Sequence, residues 1–398
     1  MLTKLQNLRN FQVDKYIVAT VGALLVAASS LKLVIPMFLI ILMAVFGWRK
    51  VQREAFILSA PILVFASYQY LQLALRPESL AYYGDLANVY LVVLCVAIPY
   101  VNMFLTRSLS IKTFEVGVFF GSWATMIFWG FYQFAYDGGC RIEPFGINAL
   151  FIPTTLLPLT YFFIALRFQE GRSTAVDSLT IVATLFCVIS YTGSRMPLYT
   201  LVFALVCIWG YLIYNRKTKI VGLILSLLGI GFILAFIQDS VSGCNFFHRV
   251  TDQLDIFTPS QTAISEDFST WSRWAFYSNS LNFLISDDWN WIIGNGSLAE
   301  GGIVNQGLST NYSFTHTHNQ YLSWLIASGV LGLCSGLLLA GQLLRHIFSD
   351  LPTFIFLILL GLPFLTNSPM YNAPITAQIL FLMLTMQILS FVRHGKEK

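Results

Sequence analysis

Three short segments of this sequence combine basic, hydroxyl and amide side chains in patterns that can do chemistry. The first is Thr192-Gly193-Ser194-Arg195-Met196-Pro197. Proline suits the first turn of a helix, and Thr192 or Ser194 can cap it. A helix opening there sets free N–H groups and the positive dipole end beside a full guanidinium charge, which makes an anion site. The competing role for Arg195 is a side chain snorkelling to a membrane boundary. The second segment holds Arg273, at the start of a helix predicted over 271–285; its competing role is a solvated helix face. The third is Thr315-His316-Thr317-His318-Asn319-Gln320-Tyr321-Leu322. His318 falls near another helix N-terminus, whose dipole disfavours the imidazolium and leaves the ring able to accept a proton. Its competing role is a polar group hydrogen-bonded at the interface.

Together these groups suit one kind of reaction. Arginine forks bind diphosphate well, and a neutral histidine can deprotonate an attacking hydroxyl. His316 and His318 lack the i, i+4 spacing of a helical zinc motif and have no acid at motif distance, so metal binding is not expected. No Gly-rich phosphate loop is present. The substrate therefore has to arrive already activated, from within the membrane, and no cofactor is implied. His248, Arg249 and Arg141 are less well placed.

The elements that must position these groups are membrane spans. Of 398 residues, 56% are hydrophobic and 11% charged, against about 25% charged in a soluble domain. The apolar residues come in runs near the roughly 20 residues that a span needs. Twelve candidates lie at about 16–30, 31–48, 55–74, 86–105, 114–136, 147–166, 178–192, 197–214, 220–238, 320–343, 352–367 and 375–392. The first also has the outline of a signal peptide, but it runs directly into the second with nothing to export, which favours a retained helix.

With the N-terminus inside, only Lys32, Arg76, Arg141, Arg195, Arg249 and Arg273 of the 23 basic residues fall outside. That asymmetry orients membrane proteins. All three chemical segments then lie on the outer side, while the spans carry almost no ionisable group at mid-depth. Ion-coupled transporters usually do carry such groups.

The stretch 239–319 is one large outer loop, rich in Ser, Asn and Asp and dense in aromatics. Its aromatics argue against a disordered tail. Within it, Trp274, Tyr277, Leu281, Leu284 and Ile285 share one helical face, reading as an amphipathic helix at the membrane surface. Gly294-Asn295-Gly296 reads as a tight turn. Cys95, Cys187, Cys207 and Cys334 fall inside spans. Cys140 and Cys244 fall in outer loops, where an oxidising compartment would let them pair; spacing alone leaves the bridge open. The fold class is thus an all-α polytopic membrane protein, a single domain over 1–398. It has about 12 transmembrane helices and one large periplasmic loop containing short helices.

The chain resembles the O-antigen ligase and polymerase superfamily of bacterial envelopes. The resemblance rests on Ser194-Arg195 opening a span, on Arg273-Trp274 in the large loop, and on His318-Asn319-Gln320-Tyr321-Leu322 followed by Gly329-Val330-Leu331-Gly332. It implies an inner-membrane glycosyltransferase whose site faces the periplasm and whose termini are cytoplasmic. The donor it implies is a glycan on undecaprenyl diphosphate. The acceptor is a sugar hydroxyl of the lipid A core in a ligase, or another lipid-linked repeat in a polymerase. On that resemblance His318 is the general base, Arg195 and Arg273 bind the departing diphosphate, and the reaction inverts the anomeric centre. His316 and Asn319 are supporting at most. The compact size and single large loop favour the ligase. A lipid-linked glycan flippase is the reading from a different class, and it predicts internal repeats and a charged cavity that the sequence does not display.

Overall fold

The computed structural model describes residues 2–27, 51–106, 111–136, 151–192, 195–215, 228–229, 231–233, 236, 268–286, 288–306, 317–345, 347, 350–365 and 368–394. Among them there is helix and no strand. In chain order the helices are α1 (Leu2–Ala27), α2 (Arg53–Ala74), α3 (Pro77–Tyr82), α4 (Gly84–Thr106), α5 (Ile111–Tyr136), α6 (Phe151–Gln169), α7 (Ala175–Cys187) and α8 (Arg195–Tyr214). Then come α9 (Phe268–Ser286), α10 (Asp288–Ile293), α11 (Ser297–Val304), α12 (Gln320–Leu344), α13 (Leu351–Gly361) and α14 (Ala373–His394). A π-helical turn, Val188–Thr192, follows α7, and 3-10 turns at Leu362–Leu365 and Pro369–Tyr371 join α13 to α14.

Six of the described helices are long and apolar enough to cross a membrane: 53–74, 84–106, 111–132, 196–214, 320–341 and 373–394. The outside of the bundle agrees with that reading. Phe56, Ile57, Val116, Phe120, Phe131 and Val206 are all at least half exposed, and a soluble protein rarely shows so much apolar surface.

The helices pack around α14, which touches α1, α2, α4, α6 and α12. Of its spanning window, 89% is buried. Its polar side chains donate to neighbouring helices, although Gln378 Oε1 and Gln387 Oε1 are buried without a partner. Gln378 Nε2 donates to Leu25 O at 2.6 Å, Gln387 Nε2 to Leu339 O at 3.1 Å, and Thr385 pairs with the Tyr100 hydroxyl at 2.8 Å. On one flank α1 and α5 meet through small residues. A methyl group on Gly117 or Gly121 would lie 2.0 Å or 2.4 Å from the backbone oxygens of Ala19 and Ala23. This is the Gly-x-x-x-Gly approach by which membrane helices gain contact.

The two ends of the bundle differ in charge. At one end, Arg167 pairs with Asp177 (2.9 Å) and Glu115 (3.3 Å), Arg172 pairs with Glu115 (3.3 Å), and Arg393 makes a two-pronged pair with Asp350 at the start of α13. The opposite end holds the beginnings of α4, α8, α12 and α14, and among the described side chains its one arginine is Arg76.

α12 is not continuous. Gly329 has φ 64° and ψ −168°, so the helix breaks there, about 14 Å along the axis from its start. At the break, the carbonyls of residues 326 to 328 take donors from outside the helix. Ile326 O accepts from Asn295 N (2.8 Å), Ala327 O from Gly296 N (2.9 Å) and Arg76 Nη1 (3.2 Å), and Ser328 O from the Tyr68 hydroxyl (2.8 Å). A broken span is tolerated only where protein re-satisfies its backbone in this way. Gly294-Asn295-Gly296, read from its sequence as a tight turn, is instead an irregular link with neither turn nor bend, lodged against the helix. Gly294 and Gly296 both have positive φ (70° and 90°), and the backbones of 292–294 and 327–329 touch. Part of the large loop thus dips along α12.

Candidate functional site

The site forms where α12 begins. Asn319 is its N-cap: the extended backbone (φ −144°, ψ 110°) lets Asn319 Oδ1 accept from Leu322 N at 3.0 Å, which satisfies one of the helix's free donors. Just before it, the Thr317 hydroxyl donates to Asn319 O at 3.0 Å. His318 sits between them at φ 55°, the one described non-glycine residue with positive φ. That conformation is uncommon for a residue with a Cβ and persists only when its surroundings over-determine it. The half-buried imidazole lies over the Phe276 ring, with centroids 5.9 Å apart and planes 20° from parallel.

Phe276 belongs to α9, the predicted loop helix. Leu281 and Ile285, on the face read as membrane-lying, are 53% and 81% exposed. Leu284 of that same face is buried, as are Phe276 and Ser280, which the sequence reading did not place on it. Position 273 is two turns before Ser280, on the same helical phase. Tyr277, in the next turn, donates to Leu365 O at 3.1 Å, and the 3-10 turn holding Leu365 packs against α8. The first residue of α8 is Arg195, directly after the π turn and residues 193–194. One end of the bundle therefore gathers the helices that carry all three predicted groups. The side chains of Arg195 and Arg273 lie outside the described residues, as do His316, Cys140 and Cys244.

Beneath His318 lies a group that the motif reading passed over. Glu300, in α11, is fully buried. Its Oε1 accepts from Thr317 N (2.7 Å) and Ser323 Oγ (2.6 Å), and its Oε2 accepts from the Tyr371 hydroxyl. Burial pushes the Glu300 carboxyl above the ordinary carboxylate range, while its donors pull the other way. Burial and then the neighbouring Glu300 push the phenols of Tyr371 and Tyr83 up, which keeps both as proton donors. The signal in the sequence was a lone acid inside the apolar run Ser297-Leu298-Ala299-Glu300-Gly301-Gly302-Ile303-Val304. Arg76 was missed too. It donates to Gly294 O (2.8 Å) and Gln72 Oε1 (2.7 Å) as well as Ala327 O, a structural assignment rather than a place in the reaction.

Chemically, the assembly offers an imidazole held at a helix start and an aromatic floor on the helix that carries position 273. Residues 180–335 match the family model described as O-antigen ligase. The matched stretch runs from α7 into α12 and contains Arg195, Arg273, Glu300, His318 and Gly329. It supports placing the chain in the O-antigen ligase and polymerase superfamily, whose members act in the membrane on lipid-linked glycans. No curated protein matches the chain.

Proposed function

We propose that this protein is an O-antigen ligase of the bacterial inner membrane. It transfers O-antigen polysaccharide from undecaprenyl diphosphate to a sugar hydroxyl of the lipid A core. The observation that carries the reading is His318, held in a left-handed conformation at the mouth of α12 and stacked on the helix that bears Arg273, all within the segment that resembles the ligase family. In the reaction, His318 takes the proton of the acceptor hydroxyl and the freed oxygen attacks the anomeric carbon. The bond from that carbon to the diphosphate breaks, with inversion. Arg195 and Arg273 hold the diphosphate as negative charge builds on it. A general base of this kind contributes about 100- to 10,000-fold.

The proposal includes the topology: twelve spans, both termini cytoplasmic, 239–319 as a periplasmic loop, and the reaction at the periplasmic face. The charge of the two ends supports this orientation. Lys112, Arg167, Arg172, Arg345 and Arg393 lie away from His318, where cytoplasmic basic residues belong.

A gel of cell lipopolysaccharide tests the function. A strain lacking the gene should show bare core, restored to full ladders by the wild-type protein and not by His318→Ala. Core plus a single repeat would make the protein a polymerase instead. An unchanged ladder would remove it from either step.

A further inference from the structure

We propose that Glu300 is a positioning residue for the reaction: by accepting the Thr317 N–H, it holds the backbone that turns His318 left-handed and sets the imidazole over Phe276. This rests on the reading of His318 as the general base. Two sets of contacts fix His318 from either side. On one side the Thr317 N–H ends on Glu300 Oε1, 2.7 Å away. On the other, Asn319 is fixed as the helix cap. With the Glu300 clamp gone, the strained backbone of His318 is held firmly from one side only.

Glu300 also connects His318 to the helix of Arg273. Asn279 of α9 donates to Gln306 O (2.8 Å) and Val304 O (3.3 Å) at the end of α11. α11 is thus joined to α9 at its end and to the start of α12 through Glu300. The second carboxylate oxygen, on Tyr371, anchors the same helix to the turn before α14. A buried acid is costly, and this one is retained with three donors converging on it.

The test separates reach from charge. In full-length protein in lipid nanodiscs, transfer is measured from a polyprenyl-diphosphate-linked glycan to lipopolysaccharide core. Glu300→Gln keeps the length of the side chain and an oxygen for the Thr317 N–H. Glu300→Asp keeps the charge but falls short by one methylene. We expect kcat for Glu300→Gln within about tenfold of wild type, because a neutral acceptor weakens the bond without moving it. We expect Glu300→Asp and Glu300→Ala to lose about 100-fold, the usual cost of a catalytic group displaced by about 1 Å. KM should stay within about threefold throughout, since binding is left intact. Tyr371→Phe, which leaves the Thr317 bond in place, should lose thermal stability and keep its kcat. Wild-type kcat in Glu300→Asp overturns the proposal, as does a Gln variant slower than the Asp one. Equal losses of kcat in Tyr371→Phe and Glu300→Ala would reduce the cluster to a general prop. His318→Ala separates the two levels. If it is inactive while Glu300→Asp runs at the wild-type rate, only the positioning role fails; if it is fully active, the base assignment fails and the proposal with it.

Discussion

Replacing Gly329 with alanine should loosen the whole site end, and the structure sets the size of the effect. The φ of 64° with ψ of −168° belongs to a region that only glycine enters freely, and forcing a residue with a Cβ into it costs about 1–3 kcal/mol. The added methyl would also sit 2.1 Å from Ile292 O, 2.3 Å from Ile292 C and 2.5 Å from Ile293 N. These are backbone atoms and cannot swing aside, so the segment after α10 has to back away from α12. Retreat breaks the bonds from Asn295 N and Gly296 N to Ile326 O and Ala327 O. Ala327 O keeps its Arg76 donor, whereas Ile326 O left unsatisfied costs about 1–3 kcal/mol. Strain and the lost bond together come to about 2–6 kcal/mol. Reversible unfolding in mixed micelles, titrated with a denaturing detergent, measures this directly. Gly341→Ala is the control: it lies in the same helix and meets nothing within 4 Å, so it should be neutral or stabilise by up to about 1 kcal/mol. A loss below about 1 kcal/mol for Gly329→Ala would mean that the break in α12 is not held as described.

Three further outcomes are expected. Arg76→Met should destabilise the protein by about 2–4 kcal/mol in the same assay, because it removes charged donors from Gly294 O and Ala327 O; a change within 0.5 kcal/mol, the usual size for a surface site, would show those contacts to be idle. Glu300 should shape the pH dependence of stability. Its folded pKa is raised by burial, so its contribution is full below the unfolded value of about 4 and is lost as pH climbs through the folded one. The stability of Glu300→Gln relative to wild type should accordingly grow as pH rises from about 4, and a difference that stays flat or shrinks contradicts the assignment. Arg195→Lys should slow glycan transfer at least about tenfold, because lysine keeps the charge and loses the fork; a wild-type rate would reduce Arg195 to a membrane anchor.

Much of this architecture can be read from the sequence, and the failures have a common physical origin. Apolar run length finds the spans at 55–74, 86–105, 197–214, 320–343 and 375–392 because a bilayer imposes length on a helix whatever it packs against. The loop helix is found from its apolar period, and the helix start beside His318 from the apolar run that follows it. Which side of α9 meets protein is another matter. Periodicity marks the apolar stripe of Leu281 and Ile285, whereas burial of Phe276 and Ser280 depends on α12 arriving from far along the chain. Gly329 stands in a Gly-x-x-Gly pair and gives no sign of breaking the helix, since the segment lodged against the break comes more than thirty residues earlier. Glu300 was passed over for the same reason: its donors come from Thr317, Ser323 and Tyr371, and no local pattern announces them.

The polar face of α14 has a bearing on how the molecule is made. This helix follows the others described in chain order, yet Leu25 O, Leu339 O and the Tyr100 hydroxyl all hydrogen-bond to it. Until it inserts, segments that entered the bilayer earlier surround a vacant centre and leave the faces it covers open to lipid. Assembly of the described bundle then waits on α14. Damage to that helix should be felt by the cell as loss of the entire protein through quality control, rather than as slower turnover.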